Sequence, residues 1–194
     1  MKKLLPVIQF SHMLVAAKLE SGGHAVDATA GNGNDTLFLI NHLSKNDKLY
    51  VFDIQEQAIQ QTRNKLMEYL SQADYNKLNQ RISFICTGHE NIDQHVRDPV
   101  KVIMFNLGYL PGANTNIITK PYTTIKAIEK GLQLLVPQGI ISIVLYPGHE
   151  GGEEEAVLVS NYVARLDPYQ YGVIQYKNIN KKKSPYALIV EKRR

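Results

Sequence analysis

Residues 26–36 read Val26-Asp27-Ala28-Thr29-Ala30-Gly31-Asn32-Gly33-Asn34-Asp35-Thr36, and this stretch decides the fold. A short apolar run precedes it, and the apolar residues 37–40 begin a predicted helix. A strand, a glycine-bearing turn and a helix in this order form a nucleotide-type loop. Glycine lets the backbone approach a ligand, and the helix N-terminus offers free N–H groups. The stretch therefore predicts an α/β fold with a ligand at this loop.

One missing glycine and two acids distinguish between the ligands that such a loop can bind. The dinucleotide fingerprint has a third glycine three residues after the second, and Thr36 occupies that position. Asp27 and Asp35 would repel a pyrophosphate but attract the ammonium and sulfonium groups of S-adenosylmethionine (SAM). We therefore expect SAM as the cofactor. The loop residues predicted to bind it are Asp27, Gly31, Asn32, Gly33, Asn34, Asp35 and Thr36.

A further acid ends the next predicted strand, at the distance of about 20 residues where ribose-binding acids lie. Asp53 can accept hydrogen bonds from both ribose hydroxyls, and Gln55 follows closely enough to help. After the third predicted strand, Gly88 and His89 border the cofactor's base in a doubly wound sheet. His89 either bonds or stacks on the adenine or caps the short helix that follows, and its position favours the adenine.

The predicted central strand, residues 100–105, runs into Asn106-Leu107-Gly108-Tyr109-Leu110-Pro111-Gly112. Ligands of open α/β sheets bind outside the carboxyl ends of strands. We therefore predict that Asn106 lies beside the sulfonium methyl, binding cofactor and aligning the substrate, and that Tyr109 stacks on a planar substrate. A plain Gly/Pro turn is the alternative. The other residues predicted to bind substrate here are Leu107, Gly108 and Pro111.

Two later segments carry groups that could contact an RNA substrate. His149, in the run Pro147 to Gly152, again follows a predicted strand and could contact substrate or phosphate. The acids that follow it, residues 153–155, are expected to be first-turn residues favoured by the helix dipole. The last two predicted strands are joined by a run that is either solvated or a basic rim for RNA phosphates. That run is Lys181, Lys182 and Lys183.

A leading helix is predicted over residues 4–20, with Ile8, Val15 and Leu19 on one face and His12 on that same face. His12 has two interpretations. It is a partly buried histidine bonded to backbone, which the periodicity favours, or it reaches the cofactor pocket from a helix laid over it.

Composition predicts an ordinary globular protein. The 194 residues are 44% hydrophobic and 21% charged, which fits one domain over residues 1–194, with residues 1–22 over the cofactor site. Neither a membrane-spanning run nor a signal-peptide pattern is found. A single cysteine, Cys86, lies in an apolar strand pattern and is expected to be buried, which favours a reducing cytoplasm. The net charge of +4 mildly fits an acidic partner such as RNA.

Taken together, residues 27–36, 53–55, 106–112 and 148–152 resemble the rRNA methylase family of bacterial class I SAM-dependent methyltransferases. The chain is similar to those members that methylate 5-aminomethyl-2-thiouridine at the tRNA wobble position, over essentially its whole length. The resemblance implies a Rossmann-like, seven-stranded, mostly parallel sheet with the last strand antiparallel and helices on both faces. Leu107-Gly108 departs from the broader amino-methyltransferase motif, which has two prolines there.

The reaction implied is direct transfer of the SAM methyl group to a neutral amine, which needs positioning more than acid or base catalysis. No metal is expected, because no His/Cys cluster with ligand spacing is present. The expected partner is tRNA, with rRNA as the alternative, and a homodimer would help so small a chain to span a tRNA. A catalytically silent SAM- or RNA-binding module is the competing class.

Overall fold

The computed structural model describes residues 4–108 and 118–194, and within them seven strands form one sheet. The strands in chain order are β1 (His24–Asp27), β2 (Leu49–Asp53), β3 (Ile82–Cys86), β4 (Val100–Asn106), β5 (Leu135–Leu145), β6 (Tyr171–Lys177) and β7 (Tyr186–Lys192). The helices are α1 (Val7–Leu19), α2 (Asn34–Ile40), α3 (Glu56–Tyr69), α4 (Gln72–Leu78), α5 (Ile92–His95), α6 (Pro121–Leu134) and α7 (Gly152–Val163). A short 3-10 helix, His89–Asn91, precedes α5.

The strand order is β3-β2-β1-β4-β5-β7-β6. The pairs from β3 to β5 are all parallel, whereas β7 pairs antiparallel with both β5 and β6. Strand β7 is therefore the one that runs against the other six. This confirms the Rossmann-like methyltransferase fold expected from the sequence, including its antiparallel last strand.

Two hydrophobic clusters cover the two faces of the sheet. Along β4, Val102 and Met104 belong to the cluster under α1, α2 and α3, while Ile103 and Phe105 belong to the cluster under α6 and α7. All four side chains are at most 3% exposed. A central parallel strand covered on both faces requires an apolar run of this kind. The carboxyl ends of β1, β2 and β4 are thereby brought to one edge of the sheet.

The leading helix, α1, packs on β5, and one buried residue of its packed face is polar. The Ser11 hydroxyl hydrogen-bonds the Ser142 hydroxyl of β5 at 2.5 Å, and both residues are fully buried. Val15 and Leu19 are buried beside them, whereas Ile8, which is predicted on the same helix face, is 39% exposed. The helix begins one residue after Pro6, not at residue 4.

Other expectations also need correction. Cys86 is exposed, because β3 is an edge strand and Cys86 is its last residue. Thr119 followed by Pro121 predicts a helix that begins with a threonine cap, but the cap position of α6 is Lys120 and the Thr119 hydroxyl bonds elsewhere. Pro137 and Gly139 predict a turn ahead of the next strand, but both residues lie inside β5, where Gln138 has a φ of 63°.

Candidate active site

The buried side chain of Asp27 stabilises the loop between β1 and α2 by hydrogen bonds. It is fully buried, and it accepts a hydrogen bond from the Thr36 hydroxyl at 2.5 Å and one from the Thr29 N–H at 3.1 Å. Gly33 has a φ of 74°, and a Cβ there would lie 3.0 Å from the Cα of Thr62 on α3. The loop conformation therefore depends on the acid and on a glycine.

Three carboxylates lie close together around this loop. Burial, followed by the negative charge of Asp35, raises the pKa of Asp27 to about 7, although hydrogen bonds from Thr36 and Thr29 oppose the shift. Asp53 adds a smaller effect of the same sign, and burial also raises the pKa of Asp53 itself. Carboxylates that repel one another in this way favour a cationic ligand nearby.

The Asp53 carboxylate is held by backbone. One oxygen accepts from the Gly31 N–H at 3.0 Å and the other from the Gln55 N–H at 2.9 Å. A carboxylate oxygen can accept more than one hydrogen bond, so both oxygens keep acceptor capacity. Asp53 is thus a fixed pair of acceptors at the end of β2.

Two adjoining cavities open at the carboxyl edge of the sheet, with volumes of about 400 and 460 Å³. Volumes of this order are typical of small-molecule sites. The predicted residues that line the first cavity are Gly31, Asp53, Gln55, Gly88, His89, Asn106 and Gly108. Those that line the second are Gly31, Asn32, Asn34, Asp35, Asn106, Leu107, Gly108, His149 and Lys183. Asp27, Gly33, Thr36, Lys181 and Lys182 line neither cavity.

Asn106 belongs to the wall that the two cavities share. Its backbone N–H donates to the Thr29 hydroxyl at 2.7 Å, which ties the end of β4 to the loop after β1. Next to it, burial and the charge of Asp35 raise the pKa of Tyr146, and a hydrogen bond with the Asn106 side chain opposes them. The backbone of Asn106 is therefore fixed at the junction of the cavities, with its side chain close to Tyr146.

Gly108 lies two residues further on, and its backbone N–H and carbonyl are both hydrogen-bonded to Thr119. Its N–H donates to the Thr119 hydroxyl at 2.9 Å, and its carbonyl accepts from the Thr119 N–H at 2.9 Å. The Thr119 hydroxyl donates to Glu155 at 2.6 Å, and the Thr124 hydroxyl donates to the other Glu155 oxygen at 2.7 Å. Burial raises the pKa of Glu155, while these hydroxyls and the charge of His149 lower it.

His89 is nearly buried in the wall of the first cavity. Its Nε2 has no hydrogen-bond partner, its ring meets Phe105 edge-on at 5.6 Å, and burial lowers its pKa, which keeps the imidazole neutral. The alternative role as a helix cap is wrong, because neither the 3-10 helix nor α5 has a side-chain cap. An unpartnered buried nitrogen beside a cavity is a group that a ligand can satisfy.

His12 contacts the loop and not backbone. Its Nε2 lies 2.7 Å from an Asp35 carboxylate oxygen, and its ring stacks on Phe38 with centroids 3.8 Å apart. The interpretation of a histidine bonded to backbone is therefore wrong. Helix α1 reaches the wall of the second cavity through Asp35, while His12 itself does not line it.

Only some of the groups expected to contact RNA line the second cavity. His149 and Lys183 line the second cavity; the His149 Nδ1 donates to the Glu150 carbonyl at 2.8 Å, and Lys183 pairs with exposed Glu153 at 3.1 Å. Lys181 and Lys182 are exposed in the connection between β6 and β7. The predicted residues Tyr109 and Pro111, with Leu110 and Gly112, lie outside the described residues.

Sequence reasoning missed several residues of this site, among them Thr29, Thr119 and Tyr146 in the cavity walls and Glu155 behind them. Thr29 and Tyr146 could have been found, because each follows the end of a predicted parallel strand. Glu155 is 2% exposed, although it was grouped with its exposed neighbours in the first turn of α7. Within residues 4–108 and 118–194, no group of three or more His, Cys, Asp or Glu is placed to hold a metal ion, and no helix is both long and apolar enough to span a membrane.

The family described as "Putative rRNA methylase" matches residues 49–192. A chloroplastic tRNA (mnm(5)s(2)U34)-methyltransferase of Arabidopsis thaliana is 31% identical over 192 residues, which cover 95% of this chain and 69% of the relative. The chain belongs to the rRNA methylase family.

Solved structures of similar proteins share the whole fold. A "putative rRNA-methylase" from Clostridium thermocellum is 38% identical with a TM-score of 0.90, covering 98% of this chain and all of that one. A "putative methyltransferase" from Streptococcus mutans, solved in complex with SAH, is 38% identical with a TM-score of 0.83 and covers 98% of this chain and 99% of that one. The family fold therefore extends over nearly the full chain.

Proposed function

We propose that this protein is a SAM-dependent RNA methyltransferase that N-methylates the 5-aminomethyl group of (2-thio)uridine at the tRNA wobble position. Family membership supports methylation of RNA, and the Streptococcus relative in complex with SAH supports SAM as the cofactor. The choice of wobble uridine rests on the name of the Arabidopsis relative. Ribosomal RNA is the second candidate, because the family description names it.

The observation that carries the proposal is the meeting of two cavities at Asn106 and Gly108. Methyl transfer needs two bound molecules whose reacting atoms meet end to end. The first cavity holds Asp53 and a neutral histidine, whereas the second holds Asp35, His149 and Lys183 and opens beside the basic turn of residues 181–183. A cofactor on one side and an RNA base on the other fit this arrangement.

The first cavity fits the adenosine part of SAM. Asp53 presents two fixed acceptor oxygens for the ribose hydroxyls, and the unpartnered His89 Nε2 offers a partner for the adenine. Asp35, in the wall of the second cavity, provides negative charge for the cationic end of the cofactor where the cavities meet. Asp27 supports this charge from behind the loop, and its direct contact with ligand stays a prediction.

Bound SAM supplies a methyl group carried on a positively charged sulfur. Asn106 is placed to align the acceptor, because it lies in the wall that both cavities share and its amide oxygen can accept from the N–H of an amine. Holding the amine in line is the main contribution required of the protein, since the amine attacks with its own lone pair. Stacking of Tyr109 on the uracil completes this proposal.

The substrate side of the proposal assigns a role to the basic turn. Lys183, on the rim of the second cavity, would contact a phosphate near the target base, and Lys181 and Lys182 would contact the stem. An anticodon loop suits a single domain of 194 residues, because its unstacked bases can be splayed into a pocket. A homodimer would lengthen the RNA-binding surface.

In vitro methylation with deuterated SAM tests the proposal. Purified protein is incubated with tRNA and rRNA from cells that lack the gene, and nucleosides are then analysed by mass spectrometry. We expect a deuterated methyl group on the aminomethyl uridine of tRNA and none in rRNA. Label in rRNA alone would support the second candidate, and no label in any RNA despite SAM binding would support a silent binding module.

A further inference from the structure

We propose that Glu155 is a positioning residue, which fixes the wall shared by the two cavities from outside through the hydroxyl of Thr119. The proposal rests on the proposed function, since this wall aligns a methyl acceptor only if the protein is a methyltransferase. Glu155 belongs to α7 and lines neither cavity. Any effect it has on methyl transfer must therefore pass through other residues.

A carboxylate that is 2% exposed needs hydrogen-bond donors to compensate for its burial. Thr119 and Thr124 provide them, one hydroxyl on each oxygen, at 2.6 and 2.7 Å. A location in the first turn of a helix accounts for an acid at this position but not for its burial between two threonines. The carboxylate thus has two hydrogen-bond partners. Only one of them, Thr119, is also hydrogen-bonded to Gly108 in the cavity wall.

The direction of the Thr119 hydrogen bonds carries the argument. A hydroxyl has one proton to donate and lone pairs to accept with. Because Thr119 donates its proton to Glu155, its oxygen faces the Gly108 N–H as an acceptor at 2.9 Å. With the second bond, from the Thr119 N–H to the Gly108 carbonyl, both polar groups of Gly108 are oriented.

The orientation of Gly108 matters because this residue lines both cavities. Its φ of 134° is one that other residues rarely adopt, and a Cβ there would approach the His149 Nε2 at 3.4 Å. Gly108 follows Asn106 by two residues, so a rotation of its peptide would displace the alignment of the acceptor. Small misplacements of this kind reduce rates strongly while leaving binding elsewhere intact.

Three variants separate positioning from stability. Thr119→Val removes the hydroxyl and keeps the shape, and Thr119→Ser keeps the hydroxyl. Thr124→Val is the control for loss of a hydrogen bond to the same carboxylate, because it does not touch Gly108. Thr119 lines the first cavity and Thr124 lines neither, so SAM affinity is measured to detect any direct effect of Thr119 on the cofactor. Each variant is measured for single-turnover methyl transfer, SAM affinity, exchange of the Gly108 amide proton and melting temperature.

We expect Thr119→Val to slow transfer by about ten- to a hundredfold, with SAM affinity changed less than about threefold, and to speed Gly108 amide exchange. Thr119→Ser should restore both, and Thr124→Val should lower only the melting temperature. Equal losses in Thr119→Val and Thr124→Val that follow their melting temperatures would overturn the proposal. If Thr119→Val does not fold, Glu155→Met replaces it with the same expected direction, because a thioether sulfur is at best a weak acceptor for the Thr119 proton.

The amide exchange measurement separates this proposal from the proposed function. If the wild-type protein methylates no RNA, the proposed function fails. Gly108 exchange then decides the structural step alone: faster exchange in Thr119→Val but not in Thr124→Val supports it, and unchanged exchange refutes it.

Discussion

The two sides of the candidate site are held in different ways. Asp53, on the cofactor side, is oriented by the N–H of Gln55 two residues away and by the N–H of Gly31 in the neighbouring loop. Gly108, on the acceptor side, depends on Thr119 and through it on Glu155, which is a further 36 residues along the chain. The cofactor side is thus oriented by backbone N–H groups of two adjoining loops. The acceptor side is oriented by side chains that tertiary packing brings together. A substitution on one side should therefore impair that side and leave the other intact.

The largest effect is expected on the acceptor side. Asn106→Ala should slow methyl transfer by about 100-fold, because it removes the amide that aligns the acceptor. SAM affinity should change by less than about threefold, since Asp53 and the loop are untouched. Single-turnover transfer at saturating SAM and calorimetry on the same sample measure the two quantities. A variant that loses SAM binding and rate in equal proportion would show that the two sides are not separable.

The opposite pattern is expected on the cofactor side. Asp53→Ala should weaken SAM binding by about 30-fold, or about 2 kcal/mol, because charge-assisted hydrogen bonds to the ribose are lost. The transfer rate at saturating SAM should stay near the wild-type value. Asp98→Ala is the control, because Asp98 is a partly exposed acid that pairs with Lys48 and lines neither cavity. Unchanged SAM affinity in Asp53→Ala, measured by calorimetry, would contradict the assignment.

The cofactor side could be predicted from sequence for a physical reason. The sequence predicts strands at residues 49–53 and 82–86, which coincide with β2 and β3, and it places glycines in the loop, where Gly31 and Gly33 have positive φ values. These features depend on short-range backbone geometry, which residue type determines directly.

Features that depend on the assembled sheet could not be predicted in this way. Cys86 is exposed because strand order places β3 at the edge, and strand order is not encoded in the strand itself. Glu155 is buried because α6 and α7 pack together and bring Thr119 and Thr124 to it. A run of three glutamates gives no sign of which one faces inward until both helices are in place.

The buried acid of the loop predicts a pH dependence of stability. Burial raises the pKa of Asp27 from 3.8 to about 7, so the folded protein holds a proton that the unfolded chain releases at lower pH. The stabilisation is complete below the unfolded pKa and is lost as the pH rises through about 7. Between about pH 5.5 and 7 the loss is at most about 2 kcal/mol for the ligand-free protein.

Asp27→Asn tests this dependence, because asparagine can still accept from the Thr29 N–H but does not titrate. Urea unfolding of the ligand-free protein should show a flatter pH profile for Asp27→Asn than for the wild type. Asp98→Asn, which alters an acid whose pKa is lowered by hydrogen bonds from Lys48 and Tyr50, should keep the wild-type slope over this range. Parallel profiles for the wild type and Asp27→Asn would remove Asp27 as the cause.

The smallest effect is expected at the rim of the second cavity. Lys183→Ala should raise the KM for tRNA by about threefold at low salt, and the difference should shrink as salt is added, because phosphate contacts are screened. Lys77→Ala on α4 is the control, since Lys77 is similarly exposed but lies on another part of the surface. A salt-independent change, or an equal change in Lys77→Ala, would mean that Lys183 does not contact the RNA.

Nucleoside mass spectrometry of tRNA from a deletion strain tests the central claim most directly. The account predicts that the unmethylated aminomethyl uridine accumulates at the wobble position, that the wild-type gene restores the methyl group, and that Asn106→Ala does not. Unchanged wobble nucleosides together with a missing methyl group in ribosomal RNA would contradict it.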